Sequence, residues 1–167
     1  MSSALLVADL PLVDAAGRTP SAALIRAIDT SDAATLARLY LASYPPAVGA
    51  TTLDDATTEM KLTFDGAYGE LRLDLSLLAL TDGTPAGAVL TTARSIWDDG
   101  IIAPFIIDFF VHPNHRQLGV GRLLLQGLAD RAAEAGARQL ALRVNDGTSS
   151  QAHHLYKHLG FRLLATD

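Results

Sequence analysis

An apolar segment, a basic turn that contains glycine and an amphipathic segment follow one another without interruption between Ile101 and Ala135. Apolar residues occupy nearly every position from Ile101 to Val111, which is typical of a strand buried on both faces. From Val120 onward apolar residues recur at helical spacing, and Gly136 is the residue type that commonly ends a helix. A strand followed by a crossover helix leads to a parallel partner strand, so this unit predicts an α/β fold.

The residues after this unit predict two more strands and a short helix. Apolar residues alternate from Leu140 to Val144, which indicates a strand. Thr148 and Gln151 have the spacing of a capping box, so they predict the start of a helix that Gly160 closes. A last strand is expected from Phe161 to Leu164.

The front half of the chain predicts antiparallel strands and two helices. Leucines alternate with polar residues from Leu71 to Leu77, which is the pattern of a half-buried strand. The turn from Thr81 to Pro85 then leads to an antiparallel partner from Ala86 to Ala93. Before these strands we predict a strand from Ala22 to Ala27 and two helices. The first helix runs from Ala33 to Ser43, with a cap within Asp29–Asp32 and an end set by Pro45-Pro46. The second helix runs from Leu53 to Leu62.

The predicted fold class is therefore α/β, with a mixed central sheet flanked by helices. An antiparallel N-terminal half joins a parallel strand pair through the crossover helix. With 167 residues and 49% hydrophobic residues, the chain predicts a single domain, residues 1–167, in which residues 1–20 supply an extra N-terminal strand segment.

Composition excludes several kinds of protein. The chain has no cysteine, which excludes disulfides, thiolate metal sites and a cysteine nucleophile. No apolar run approaches the roughly 18 to 20 residues of a membrane span, and the N-terminus lacks the basic region of a secretory signal. We therefore expect a cytoplasmic protein with no membrane partner.

Charge is distributed unevenly along the chain. The net charge of −5 argues against nonspecific nucleic-acid binding, which requires a basic face. Residues 1–111 carry 6 basic and 14 acidic side chains, whereas residues 112–167 carry 7 and 4. This asymmetry suits an anionic ligand at the C-terminal third and a cationic ligand at the earlier part, although surface charge also serves solvation alone.

The turn between the buried strand and the crossover helix has the features of an anion-binding loop. Gly119 and Gly121 allow the backbone to approach a ligand closely, and the free N–H groups of the first helical turn attract phosphate oxygens. A P-loop fits worse because no Gly-Lys-Ser/Thr is present, and a dinucleotide fingerprint fits worse because Leu124 stands where its third glycine would be.

With Arg116, this turn resembles the signature Arg/Gln-x-x-Gly-x-Gly/Ala of the GCN5-related N-acetyltransferase (GNAT) family. A second family landmark, Leu-Tyr-x-x-x-Gly-Phe, is matched by residues Leu155 to Phe161. The resemblance implies an N-acetyltransferase that transfers an acetyl group from acetyl-CoA to an amine acceptor by direct attack in a ternary complex. The implied reaction needs no metal ion. The alternative function is a noncatalytic acyl-CoA-binding or sensing domain.

The resemblance also implies roles for individual residues. Tyr156 matches the position from which family members protonate the leaving thiolate; the alternative is a tyrosine that packs in the core. Asp108 is the candidate general base, and burial should raise its pKa; the alternative is a structural acceptor of backbone N–H groups. The expected cofactor-binding residues are Phe110, Val111, Arg116, Gln117, Leu118, Gly119, Val120, Gly121, Arg122 and Ser149.

Two departures from the family pattern bear on the site. Ser149 stands where many members carry an asparagine that contacts the coenzyme arm, and Asn145 lies further upstream. The chain also stops soon after Leu164, where the family commonly adds another strand. We expect Ala4 to Val13, or a strand of a second subunit in a homodimer, to cover that sheet edge.

Two further questions concern metals and the acceptor. His154 and His158 have i, i+4 spacing, but no nearby ligand completes a metal set. Acidic residues of the front half favour a cationic amine. Polyamine-like molecules, aminoglycosides, amino acids and protein N-termini remain open as acceptors.

Overall fold

The computed structural model describes residues 3–13 and 23–164, which form one seven-stranded sheet with helices on both faces. In chain order the elements are β1 (Ala4–Asp9), β2 (Ala23–Ala27), α1 (Ala33–Ser43), α2 (Leu53–Phe64), β3 (Leu77–Thr81), β4 (Thr84–Thr92), β5 (Phe105–Val111), α3 (Val120–Glu134), β6 (Gln139–Val144), α4 (Ser150–Leu159) and β7 (Arg162–Leu163).

The sheet has the order β2-β3-β4-β5-β6-β1-β7. Only β5 and β6 run parallel, and α3 connects them; every other neighbouring pair is antiparallel. The predicted mixed α/β fold, with its antiparallel front half and its parallel pair joined by a crossover helix, is confirmed.

Adjacent residues of the central strands pack against different helices. In β3, Leu77 belongs to the cluster around α3 and α4, whereas Leu78 belongs to the cluster around α1 and α2. In β4, Val89 and Leu90 divide in the same way. Because side chains alternate across a strand, α3 and α4 cover one face of the sheet, and α1 and α2 cover the other.

A buried carboxylate lies in the 3-10 turn Thr30–Asp32, which leads directly into α1. Asp29 and Asp32 form a capping box, in which the Asp32 side chain accepts a hydrogen bond from the Asp29 amide at 2.9 Å. Asp32 is only 6% exposed and also accepts two hydrogen bonds of 2.8 Å from the Arg26 guanidinium on β2. This bidentate pair joins the edge strand to the helix.

Several predicted boundaries were wrong. Residues Leu73–Leu75 form a 3-10 turn, and only Leu71 makes an isolated bridge, to Thr92, so β3 begins at Leu77. Backbone hydrogen bonds from the Leu75 amide to the Arg72 carbonyl and from the Ser76 amide to the Leu73 carbonyl close this turn, which buries Leu75 without a strand. The alternation of leucines therefore arises from a turn with one buried side.

Two more boundaries differ. β5 begins at Phe105 and not at Ile101, since Pro104 lacks an N–H and Ile102 is 91% exposed. The cap of α4 is Ser149 and not Thr148, whose hydroxyl accepts a hydrogen bond from the Asn145 amide instead.

The N-terminal strand lies along the edge of β6. β1 pairs antiparallel with the whole of β6 and, on its other side, with the short β7. Of the proposed N-terminal segment 1–20, residues 1–2 and 14–20 lie outside the described residues. No helix among the described residues is long and apolar enough to cross a membrane.

Candidate active site

A bulge in β5 opens the sheet between the two parallel strands. Opposite β4, Asp108 pairs with Leu90 and Ile106 pairs with Thr91, so Ile107 is one extra residue in β5. β5 and β6 pair only at Phe105–Ala141 and Ile106–Leu142, before the bulge. Because a bulge bends its strand, β5 turns away from β6 and leaves a split between them.

The bulge also decides which way Asp108 faces. Ile106 packs in the cluster around α3, and without an extra residue Asp108, two positions later, would face the same side. Instead its carboxylate is bonded by Tyr44 at the end of α1. The alternation alone does not predict this orientation.

A cavity of about 1370 Å³ occupies the split. Its walls come from β5, from the turn before α3, from the loop after β6, from α4 and from the end of α1. Of the candidate site residues, Leu118 is not part of the lining and its side chain is 39% exposed. The structure brings the others together around one space: Asp108, Phe110, Val111, Arg116, Gln117, Gly119, Val120, Gly121, Arg122, Ser149 and Tyr156.

The turn before α3 leaves the helix N-terminus open to this cavity. Gln117 and Gly119 both have left-handed backbones, with φ values of 62° and 88°. Gly119 is the N-cap of α3 and provides no side-chain hydrogen bond, whereas Thr52 and Ser149 cap α2 and α4. Uncapped amides with the positive end of a 15-residue helix behind them form an anion-binding site.

The two glycines of this turn have different tasks. Gly119 supplies the left-handed conformation, which a side chain would strain. A Cβ on Gly121 would lie 2.9 Å from Cζ of Phe109 and 3.3 Å from Cδ2 of Leu155. Gly121 therefore permits close packing of α3 against β5 and α4. This role differs from the sequence-based expectation that Gly121 allows the backbone to approach a ligand.

Arg116 anchors the turn to its surroundings. Its Nε donates to the Val111 carbonyl at 3.0 Å, and its Nη2 donates to the Ser43 carbonyl at the end of α1. The signature arginine thus connects β5, α1 and the turn, and its remaining N–H groups are left to contribute positive charge beside the cavity.

Backbone groups of β5 face the split at alternate residues. The His112 amide donates to the Ala86 carbonyl on β4, and Phe110 lies in the next hydrogen-bonded pair, opposite Ala88. Phe109 and Val111 therefore direct their backbone groups toward the split, and both carbonyls accept side-chain hydrogen bonds there. Among the described residues, no hydrogen bond is seen for the N–H groups of Phe109 and Val111, whereas the Phe110 amide belongs to the sheet.

Asp108 is the only acidic candidate on this strand, and its environment is unusual. Removal from water raises the pKa of the carboxyl to about 7, the negative charge of Glu59 adds to the rise, and a hydrogen bond from Tyr44 opposes it. The Tyr44 hydroxyl lies 3.0 Å from Oδ1. A carboxyl that titrates near neutrality suits a general base.

Tyr156 projects from α4 into the same cavity. Its ring packs against Phe109 and Phe161, with centroid distances of 6.0 and 5.6 Å, and the residue is 6% exposed. Burial and the negative charge of Asp108 raise the pKa of the phenol above its usual value, so it stays protonated at neutral pH. Within the described residues no hydrogen bond involves its hydroxyl, which leaves that proton available to a ligand.

The loop after β6 is held by its own side chains. The Ser149 hydroxyl accepts a hydrogen bond from the Ala152 amide at 3.1 Å, and the Asn145 side-chain oxygen accepts one from the Gly147 amide at 2.8 Å. The Ser149 O–H proton is left for a ligand in the cavity. His154 and His158 are exposed, and the described residues contain no group of three or more potential metal ligands.

Sequence reasoning missed Tyr44 and Phe109. Tyr44 precedes Pro45-Pro46, and a residue before proline is turned out of the helix. The Pro45-Pro46 dipeptide was therefore the sequence signal that could have identified Tyr44. Nothing in the sequence distinguishes Phe109 from Phe110, because the bulge decides which of them faces the split.

The structure thus combines a mixed sheet that splits beside an uncapped helix N-terminus with a buried carboxyl and a buried phenol at the split. A sequence profile described as "Acetyltransferase (GNAT) family" matches residues 34–161. The chain belongs to this family.

Named relatives and solved structures agree with this assignment. The chain is 36% identical over 104 residues to a streptothricin acetyltransferase of Streptomyces lavendulae, covering 62% of this chain and 52% of that protein. It is 31% identical over 146 residues to an aminoglycoside N(6')-acetyltransferase type 1 of Stenotrophomonas maltophilia, covering 84% and 87% of the two chains. The chain thus spans about half the length of the first relative and most of the second.

A solved structure shares the fold. It is an aminoglycoside 6'-acetyltransferase, AAC(6')-Iy, in complex with a bisubstrate analogue of coenzyme A and acetylneamine. The TM-score is 0.64 at 20% identity, and the match covers 85% of this chain and 92% of that one.

Proposed function

We propose that this protein transfers the acetyl group of acetyl-CoA to a primary amine of a small cationic acceptor. One observation carries the proposal: an anion-binding turn, an open strand edge, a carboxyl that titrates near neutrality and a protonated phenol line a single cavity. Each of these is a group that acetyl transfer from a thioester to an amine requires.

The residues present fit the parts of acetyl-CoA. The amides from Gln117 to Arg122, at a helix N-terminus that has no side-chain cap, suit the pyrophosphate, and the N–H groups of Phe109 and Val111 suit the carbonyl oxygens of the pantetheine arm. Bound acetyl-CoA supplies an activated thioester carbonyl. An N–H of Phe109 or Val111 in the split would donate to that carbonyl oxygen as negative charge develops on it.

Asp108 and Tyr156 would handle the protons. Asp108 removes a proton from the acceptor ammonium, and the freed nitrogen pair forms the C–N bond to the carbonyl carbon. The C–S bond breaks, its electron pair stays on sulfur, and the phenol of Tyr156 donates a proton there. The new amide nitrogen loses its second proton, and that proton restores the phenol of Tyr156. The charge of Asp108 is one cause of the raised pKa of Tyr156, so protonation of Asp108 makes Tyr156 a stronger acid for the second step.

The acceptor is proposed to be a cationic antibiotic-like amine. The relatives named above act, by name, on streptothricin and aminoglycosides. On this chain, Glu59 of α2 adds negative potential to that of Asp108, and the same Glu59 raises the pKa of Tyr68. Two carboxylates in one electrostatic field favour a substrate that carries more than one positive charge.

Turnover with a panel of amines tests the proposal. The purified protein is mixed with acetyl-CoA and, in turn, an aminoglycoside, streptothricin, a linear polyamine, an amino acid and a peptide with a free N-terminus. Thiol release and mass spectrometry of the product measure transfer. Acetylation of the polycationic amines supports the proposal, whereas binding of acetyl-CoA with no product from any amine favours a noncatalytic binding domain.

Cytoplasmic location, independence of nucleic acid and membrane, and a homodimer are further parts of the proposal. The net charge of −5 supports the absence of nucleic acid, and the short strand β7 at one sheet edge supports an edge contact between two copies. Sedimentation velocity at two concentrations measures the oligomeric state.

A further inference from the structure

Tyr44 occupies a backbone position that α1 could not provide. The helix ends at Ser43 because Pro45 disfavours a helical conformation in the residue before it. Tyr44 is extended, with φ −100° and ψ 140°, whereas Tyr40, one turn earlier, is helical. The proline thus sends the Tyr44 side chain toward β5.

The ring of Tyr44 is held from several sides. It packs against Tyr40 at a centroid distance of 5.0 Å and against Phe110 at 5.6 Å. The turn after Pro45 closes over it, and a Cβ on Gly49 would lie only 2.6 Å from Cβ of Tyr44. A side chain packed in this way places its hydroxyl at one point.

That point lies between two acceptors. The Tyr44 oxygen is 3.0 Å from Oδ1 of Asp108 and 3.1 Å from the carbonyl oxygen of Phe109. These residues are adjacent and follow the extra residue of the β5 bulge. A phenol has a single proton, so it donates fully to only one of the two at a time.

We propose that Tyr44 is a positioning residue of acetyl transfer, which holds Asp108 at the bulge and alternates its hydrogen bond as Asp108 gains and loses the acceptor's proton. This inference rests on the proposed function of Asp108 as base. While Asp108 is ionised, Tyr44 donates to its carboxylate. Once Asp108 holds a proton on Oδ1, that proton is donated to the Tyr44 oxygen, and Tyr44 donates to the Phe109 carbonyl.

The alternation keeps the Tyr44 hydroxyl and the Asp108 carboxyl hydrogen-bonded to each other in both protonation states. Protons are conserved, because the acceptor's proton moves to Asp108 and the phenol keeps its own while its O–H rotates. A buried group that loses its partner is costly, and here each protonation state has a partner for the Tyr44 oxygen. The arrangement therefore accommodates both states of Asp108 without moving the strand.

Other titratable groups face Asp108 from the surrounding elements. Tyr40 comes from α1, Glu59 from α2, Tyr68 from the segment after α2 and Tyr156 from α4. The three phenols have raised pKa values and are neutral near pH 7, so Glu59 supplies the other charge. A substitution at Tyr44 leaves Glu59 in place, so the effect of Tyr44 on the pKa of Asp108 can be measured separately from the effect of Glu59.

The test compares Tyr44→Phe with its matched control, Tyr40→Phe. Both variants remove one phenolic oxygen beside the cavity, from the last turn of α1 or from the residue that follows it, but only Tyr44 is bonded to Asp108. The acidic limb of kcat/KM for the amine should move up by about one pH unit in Tyr44→Phe, because the carboxylate loses a donor. It should stay at its wild-type position in Tyr40→Phe.

A second substitution gives the opposite sign and covers a failure of Tyr44→Phe to fold. Incorporation of 3-fluorotyrosine at position 44 keeps the shape and strengthens the donor, so the limb should move down. Carbon-13 NMR of the Asp108 carboxyl should titrate with the same shifts in the absence of acceptor. The inference would be overturned if neither change at position 44 shifted the acidic limb of the kcat/KM profile or the titration of the Asp108 carboxyl.

Asp108→Asn separates this inference from the proposed function. Loss of the acidic limb in Asp108→Asn together with an unmoved limb in both Tyr44 variants refutes the inference alone. Persistence of the limb in Asp108→Asn refutes Asp108 as base, and the role of Tyr44 falls with it. Loss of the limb in Asp108→Asn and opposite shifts in the two Tyr44 variants support both.

Discussion

A methyl group on Gly121 would lie 2.9 Å from Cζ of Phe109, closer than side-chain carbons normally approach. The ring of Phe109 in turn packs against Tyr156 at a centroid distance of 6.0 Å. The second glycine of the signature, Gly121, therefore packs against Phe109, and Phe109 packs against Tyr156, the proposed general acid. The N-cap glycine, Gly119, is not interchangeable with it, and substitutions separate the two.

Gly121→Ala should destabilise the protein and slow turnover. The overlap with Phe109 costs about 1–3 kcal/mol, of which the better helix propensity of alanine returns about 1 kcal/mol. Chemical denaturation measures the net loss. In the double variant with Phe109→Ala, the Gly121→Ala change should cost less than it does alone. Purely additive losses would show that the two residues are not coupled.

Gly119→Asp should weaken acetyl-CoA binding far more than Gly119→Asn. The two side chains have nearly the same shape, and both strain the left-handed backbone to a similar degree. Only the aspartate places negative charge beside the uncapped amides, so we expect at least about a tenfold difference in Kd. Calorimetric titration with acetyl-CoA measures it. Equal affinities would place the pyrophosphate elsewhere.

Asp108 should make stability fall as pH rises. Burial raises the pKa of its carboxyl to about 7 in the folded protein, above the value of about 3.9 expected when unfolded. The stabilisation from binding this proton is therefore complete below pH 4 and is lost between roughly pH 4 and pH 7.

Asp108→Asn keeps an acceptor for Tyr44 and removes the titration. At pH 8 it should be more stable than the wild type by the order of 2–4 kcal/mol, and the difference should vanish toward pH 4. Urea unfolding at several pH values measures both chains. A constant difference across this range would mean that Asp108 has an ordinary pKa.

Tyr156→Phe should bind acetyl-CoA as the wild type does and turn over slowly. No hydrogen bond of the described residues is lost with the hydroxyl, so the midpoint of thermal unfolding should change little. Loss of a general acid lowers kcat by about 10²–10⁴-fold. Stopped-flow measurement of thiol release gives kcat. An unchanged kcat would assign protonation of the sulfur to another group.

Local patterns in the sequence were sufficient for most of the fold. The helix from Ala33 to Ser43 was predicted with its observed bounds, since capping side chains precede it and prolines follow it. The crossover helix was predicted to within one residue, because Gly119 and Gly136 delimit its periodic segment. The alternation from Leu71 to Leu77 gave a wrong prediction of a strand, because a turn that buries Leu75 produces the same spacing of leucines.

For the site, the sequence by itself determined the chemistry that is available: a glycine turn beside arginine, one aspartate in an apolar strand and a tyrosine before Gly-Phe. Only the tertiary structure decided how these groups meet. The extra residue Ile107 turns Asp108 toward Tyr44, 64 positions away in the chain, and directs the backbone of Phe109 to the split. Strand register depends on pairing with β4 and on packing against α1, and neither is encoded in the local order of residues.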